Sequence, residues 1–347
     1  MNPYILSILI SSLGLGTMIT FMSSHWLLAW MGLEINTLAI IPLMAQHHHP
    51  RSVEASTKYF LTQATAAAMI LFASSMNAWL TGQWALTQLS HPLPIALITM
   101  ALALKMGLAP LHTWLPEVLQ GLDLSTGLIL STWQKLAPFA LLVQMPYQNS
   151  TLVSTLAISS ALVGGWGGLN QTQLRKILAY SSIAHLGWML IILQYAPSLA
   201  LIALLTYMVM TFSAFNLFKI NNSTSINMLA ISWPKSPALT ALAPLVMLSL
   251  GGLPPLSGFG PKWMILQELT KQDLAPLATV MALSALLSLY FYLRLSYAMT
   301  LTISPNNIAG VTPWRFQTPQ PTLPLSIFST CSLMLLPALP AILALVN

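Results

Sequence analysis

A proline-broken apolar stretch occurs twice in this chain, and that limits the folds open to it. Gly107-Leu-Ala-Pro-Leu-His-Thr-Trp-Leu-Pro-Glu117 returns as Gly252-Leu-Pro-Pro-Leu-Ser-Gly-Phe-Gly-Pro-Lys262, at the constant offset 252 − 107 = 262 − 117 = 145. Gly, Leu, Pro, Leu and Pro coincide, and Trp114 matches Phe259. Proline inside a helix removes a hydrogen bond and kinks or breaks the helix. Pro110 and Pro116 are the candidate breaks in the first copy, and Pro254, Pro255 and Pro261 in the second. Lipid cannot satisfy the carbonyls so freed, which must then be buried in protein or line a wet cavity. Paired Gly/Pro interruptions at matching positions point to an ion or substrate path in a transporter fold. A single prolyl kink is ordinary in membrane helices; two with one offset read as a repeat. A lysine flanks each copy, Lys105 before the first and Lys262 at the end of the second.

The surrounding chain is 56% hydrophobic and only 5% charged, against about 25% charged in a soluble domain. Such a chain reads as a polytopic membrane protein without a separate soluble domain. The net charge of +6 comes from scattered residues, which argues against nucleic acid as a partner. One cysteine, Cys331, excludes an internal disulfide and a cysteine-held metal or iron–sulfur site. Met1-Asn-Pro-Tyr4 lacks a basic region and a cleavage motif, so it reads as the start of a retained first helix.

A span takes roughly 20 apolar residues. Eleven candidates follow, at about 3–22, 25–45, 58–80, 92–120 (broken), 124–145, 150–171, 175–196, 198–219, 237–270 (broken), 276–301 and 322–346. The expected fold is therefore all-α, one transmembrane domain over 1–347. A 145-residue repeat holds five spans, and an odd span count inverts successive repeats. Repeat one then covers about 1–145, repeat two about 146–301, and a helix at about 322–346 is extra. Loops on the N-terminal side carry Arg51, Lys58, Arg175, Lys176, Lys219, Lys235 and Arg315, whereas the other side has Lys271 beside Asp273. The positive-inside rule puts the N-terminus in the cytoplasm or matrix and the C-terminus opposite. His47-His-His49 reads as a solvated turn, because no partner ligands follow at metal-site spacing.

Glu34, Lys105 and Lys135 fall near the middle of their spans. A charge there costs about 3 kcal/mol on insertion scales, and such residues mark ion or proton paths. Lysine suits a relay, because burial and a nearby carboxylate move its proton affinity in opposite directions. Glu34 beside Lys105 would hold a proton there or release it toward Lys135; a purely structural ion pair is the other reading. His112 and His185 can exchange protons near neutral pH, although His185 reads equally as a core histidine. Thr132, Gln134, Ser181 and Ser182 are candidates to hold linking waters. Arg175-Lys176 reads as a membrane-face anchor, and Gly164-Gly-Trp-Gly-Gly168 as helix-packing sequence.

Three segments carry a resemblance to a known family: Lys105–Glu117, Leu174-Arg-Lys-Ile-Leu-Ala-Tyr-Ser-Ser-Ile-Ala-His185 and Leu253–Lys262. They resemble the antiporter-like membrane subunits of respiratory complex I, NADH:ubiquinone oxidoreductase, which are related to subunits of multi-protein sodium/proton antiporters. The likeness covers nearly the whole chain, and its length and short loops look like those of the vertebrate mitochondrial members. It implies a mitochondrial inner-membrane subunit with its N-terminus in the matrix and its C-terminus in the intermembrane space. It further implies a proton path of Glu34, Lys105, Lys135 and Lys262 assisted by His112 and His185, with Glu34 paired to Lys105. NADH, FMN, iron–sulfur clusters and ubiquinone would belong to partner subunits, and none of them to this chain. The implied partners are the other membrane subunits, antiporter-like neighbours among them, accessory subunits and phospholipids. The chain departs from the family in lacking three helices at its start and the long lateral helix of the largest relative. Two other readings stand beside this one: a subunit of a free-standing cation/proton antiporter, and a purely structural membrane subunit.

Overall fold

The computed structural model describes residues 2–46, 49–145, 150–233, 236–302 and 322–346. His47, His48, Lys235 and Arg315 lie outside these residues. Most of the described chain is helical, and no strand occurs among the described residues. Two compact units divide it, residues 1–159 and 160–347.

In the first unit α1 (Pro3–Met22), α2 (Trp26–Met44), α3 (Pro50–Thr81), α4 (Pro92–Met106), α5 (Trp114–Gly121), α6 (Leu124–Ser131) and α7 (Trp133–Gln144) follow in order. Then come α8 (Ser150–Gly168), in which the division falls, and in the second unit α9 (Leu174–Leu193), α10 (Pro197–Ile220), α11 (Ile226–Ala230), α12 (Pro237–Gly251), α13 (Phe259–Lys271), α14 (Ala275–Thr300), α15 (Leu323–Met334) and α16 (Leu339–Val346). Among the described residues eight helices are long and apolar enough to span a membrane, or nine if the bent pair α15–α16 is one span. The shorter apolar α4 and α12 stand apart from these.

Helix starts follow local chemistry. Asn2 Oδ1 accepts from the Tyr4 N–H at 3.1 Å, and His49 Nδ1 accepts from the Arg51 N–H at 3.2 Å. Pro3, Pro50, Pro92, Pro197 and Pro237 open helices, where the missing N–H would have had no intrahelical partner. His49, read as part of a solvated turn, is thus the cap of α3. Within the helices, serine and threonine hydroxyls donate to their own preceding turn, as Ser181 does to Leu178 O (2.8 Å) and Ser182 to Ala179 O (2.7 Å). That back-bonding lets polar residues sit in apolar segments.

Where the structure differs from the sequence-based expectation, proline position explains most of it. Pro110, Pro254 and Pro255 lie in the interruptions, at 107–113 and 252–258. Pro116 and Pro261 do not break a helix: each is the third residue of the one that follows. First-turn N–H groups have no intrahelical acceptor, so proline there costs no bond. Lys262 follows Pro261 at once, also in that first turn. The span expected at 322–346 bends by 66°, next to Pro337 and Pro340. The helix around Lys135 is interrupted at Thr132, between α6 and α7, six residues before Pro138, which has no N–H to give Gln134 O.

Each unit closes its connections in the same way. In the first, an antiparallel bridge joins His25 to Ala85, with Trp26 N–H to Trp84 O (3.0 Å) and Leu86 N–H to Ser24 O (3.0 Å). In the second, the bridge is Gln173 to Ser225, with Leu174 N–H to Thr224 O (3.1 Å) and Ile226 N–H to Thr172 O (3.1 Å). The loops before α2 and after α3 are so tied in one unit, and those before α9 and after α10 in the other.

Candidate functional site

Both interruptions have one backbone plan. Gly107 ends α4 with φ 79°, and Gly252 ends α12 with φ 80°, a left-handed conformation that side chains disfavour. Each glycine N–H returns to two carbonyls of the last turn, Ala103 and Leu104 or Leu248 and Ser249. Ala109–Pro110 and Pro254–Pro255 are cis. Side chains also donate to carbonyls of the interruptions, differently in the two units. In the first, Trp114 Nε1 donates to Leu104 O (3.0 Å), Gln63 Nε2 to Lys105 O (3.5 Å) and Ser159 Oγ to Ala109 O (3.1 Å). In the second, Lys262 Nζ itself donates to Gly251 O at 2.7 Å.

In the first unit Lys105 and Lys135 line one enclosed cavity of about 20 Å³, room for about one water. Lys105 is 7% exposed and Lys135 2%. Tyr59 and Gln63 from α3, Asn36 and Thr37 from α2 and Gln134 from α7 share the lining. Tyr59 meets Trp114 edge to face at 5.7 Å. Gln134 Nε2 donates to Asn36 O at 3.3 Å, which ties α7 to α2 beside the cavity.

Glu34 makes no direct hydrogen bond to Lys105, the partner expected for it. It is half-buried, and the Thr37 hydroxyl donates to its carbonyl (2.8 Å) and reaches its carboxylate at 3.4 Å. Among the described residues Lys105 Nζ has no hydrogen-bond partner, Glu34 included. The Glu34 carboxylate still acts on Lys105, through its field rather than through a bond. His112 is outside the cavity lining. It is half-buried in the first interruption, with Nδ1 3.2 Å from Pro110 O.

In the second unit His185 and Lys262 line a cavity of about 20 Å³ with Trp188, Thr206 and Met210. The Lys262 ammonium lies 6.0 Å from the Trp188 ring centroid, and the His185 and Tyr207 rings are 5.4 Å apart. Gly258 crosses α12 so closely that a Cβ on it would fall 1.8 Å from Ser249 O. Of the candidate water holders, Thr132 Oγ1 donates to Leu128 O (2.7 Å), and Ser181 and Ser182 donate within α9. Charge alone picked out the lysines but missed Asn36, Tyr59 and Gln63. The available signal was a carboxamide inside an otherwise apolar span.

Helices only, two matched interruptions and buried lysines beside them define an antiporter-like membrane protein. A family profile described as "NADH:quinone oxidoreductase/Mrp antiporter, TM" matches residues 23–288, and one described as "NADH dehydrogenase subunit 2 C-terminus" matches 289–343. The chain is 71% identical to NADH-ubiquinone oxidoreductase chain 2 of Tetraodon nigroviridis over 347 residues, 100% of both chains. It is 71% identical to that of Gadus morhua, again over 100% of both. Among solved structures it is similar to a chain of respiratory complex I from Thermus thermophilus, with TM-score 0.82 and 28% identity over 100% of this chain and 78% of that one. A chain of the membrane-bound sulfane sulfur reductase, an archaeal respiratory membrane complex, shares the fold, with TM-score 0.84 and 18% identity over 98% of this chain and 74% of that one. The chain belongs to the NADH-ubiquinone oxidoreductase chain 2 family.

Proposed function

We propose that this chain is a core membrane subunit of a proton-pumping NADH:ubiquinone oxidoreductase of the mitochondrial inner membrane, and that Glu34, Lys105, Lys135, His112, His185 and Lys262 carry protons in it. The observation that carries this reading is the shared enclosure of Lys105 and Lys135 in one small cavity. Two ammonium groups on one buried cavity repel each other and cost free energy. One proton shared between two such lysines lowers that cost, so the pair favours handing a proton on.

The second unit would couple protonation to backbone shape. A protonated Lys262 gives a charge-assisted bond to Gly251 O, at the carbonyl end of α12, where the helix dipole favours a cation. Losing the proton weakens that bond and loosens the interruption. A remote reaction can drive protons only through an element with two states that both sites bias. The interrupted helices are that element in this account. The redox cofactors, FMN and iron–sulfur clusters with NADH and ubiquinone as substrates, belong to partner subunits, and phospholipids and accessory subunits surround the chain.

The matched loop bridges and glycine-ended helices support two five-helix repeats. Alternation of the spans makes those repeats inverted, and the basic loops favour the N-terminus in the matrix and the C-terminus in the intermembrane space. Native electrophoresis of gently solubilised membranes, stained in the gel for NADH oxidation, tests the assignment. This chain is expected only in a very large NADH-oxidising band. Migration with a few hydrophobic subunits and no dehydrogenase would replace the proposal with a free-standing cation/proton antiporter.

A further inference from the structure

The cavity of the first unit contains a polar group that the lysines alone leave without a role. Asn36 is 2% exposed and lines the cavity, and neither its Oδ1 nor its Nδ2 has a hydrogen-bond partner among the described residues. Lys105 Nζ, on the same lining, has none either. Buried carboxamides and ammonium groups are nearly always hydrogen-bonded, through ordered water where no protein group is in reach. The space of about 20 Å³ between these groups suits about one water. The chemistry is complementary: an ammonium only donates, an amide both donates and accepts, and water does both.

The amide is also fixed in place. A Cβ built on Gly16 of α1 would lie 2.4 Å from Asn36 Oδ1, so the side chain already rests against that helix. On the α7 side, Gln134 holds the Asn36 carbonyl at 3.3 Å. Asn36 therefore presents its amide from a position set by three helices.

We propose that the Asn36 amide and the Lys105 ammonium together hold an ordered water in this cavity, and that Asn36 positions the link between Lys105 and Lys135. A proton leaves Lys105 Nζ for the water oxygen while a second proton leaves that water for Lys135 Nζ. One N–H and one O–H bond break, one of each forms, and the water is regenerated. The inference rests on the proton-path reading above and assigns Asn36 as a positioning residue within it.

The test uses the intact respiratory complex. High-resolution electron cryo-microscopy of the wild type should show water density within hydrogen-bond distance of both the Asn36 amide and Lys105 Nζ. Asn36→Leu, close in size but without polar atoms, should lose that density. Its NADH:ubiquinone turnover should fall several-fold and its solvent deuterium isotope effect should rise. NADH oxidation by an artificial acceptor that draws electrons ahead of ubiquinone should stay at the wild-type level. Asn36→Ser, which keeps a donor and acceptor, should recover part of the turnover and isotope effect. Wild-type density without such a water overturns the proposal even if the leucine variant fails to assemble. An assembled leucine variant with wild-type turnover and isotope effect also overturns it. Lys135→Ala separates the two levels: loss of pumping there with a silent Asn36→Leu sinks only the water site, whereas normal pumping in both sinks the proton path itself.

Discussion

Glu34 and Lys105 show what residue types disclose and what only packing decides. A carboxylate and a lysine, each alone in an apolar span, invite pairing on grounds of cost. In the fold the lysine ammonium makes no hydrogen bond to the carboxylate, which acts on it through its field alone. Glu34→Gln removes a charge that acts on Lys105 only through its field, so turnover should fall by less than it does in Lys135→Ala. Turnover of the two assembled variants decides this, and a Glu34→Gln value identical to the wild type would make Glu34 structural. Asn36 escaped a search for charges because a carboxamide costs less to bury than an ion. Only its missing partners in the packed structure expose it.

At the scale of elements, the interruptions were legible because their cause is local. Gly107 and Gly252, with the prolines that follow, end helices by the same backbone rules wherever they occur. Which prolines break and which begin a helix was not legible, since that depends on where the next hydrogen-bonded turn starts. Pro116 and Pro261 are helix-opening residues for that reason. The bend of 66° between α15 and α16 and the interruption at Thr132 had proline signals too, but tertiary packing sets their size. Gly252→Ala tests the role of the second interruption. Its φ of 80° penalises a side chain by about 1–2 kcal/mol, and its Cβ would press on Lys262 Nζ at 3.0 Å. Gly82→Ala is the control, because Gly82 has φ 73° with nothing within 4 Å of an added Cβ. Both variants should lower the thermal stability of the complex by similar amounts, read as loss of NADH:ubiquinone activity on heating. Only Gly252→Ala should also lower the number of protons moved per electron. Equal pumping in the two would detach Lys262 from the interruption.

For the whole molecule, an apolar chain with few charges points to a membrane-spanning helical fold almost by composition, and the 145-residue offset locates the two matched interruptions. The matched loop bridges of the two units were not legible, because a single backbone bridge leaves no mark on residue choice. What the whole molecule does turns on whether its buried lysines carry protons or only fill space. Lys135 is the sharpest place to ask, being 2% exposed on the cavity it shares with Lys105. The decisive measurement is the proton-to-electron ratio of the assembled complex with Lys135→Ala, reconstituted in vesicles and driven by NADH. The account predicts assembly at normal size with fewer protons moved per electron. An assembled variant with the wild-type ratio would contradict it.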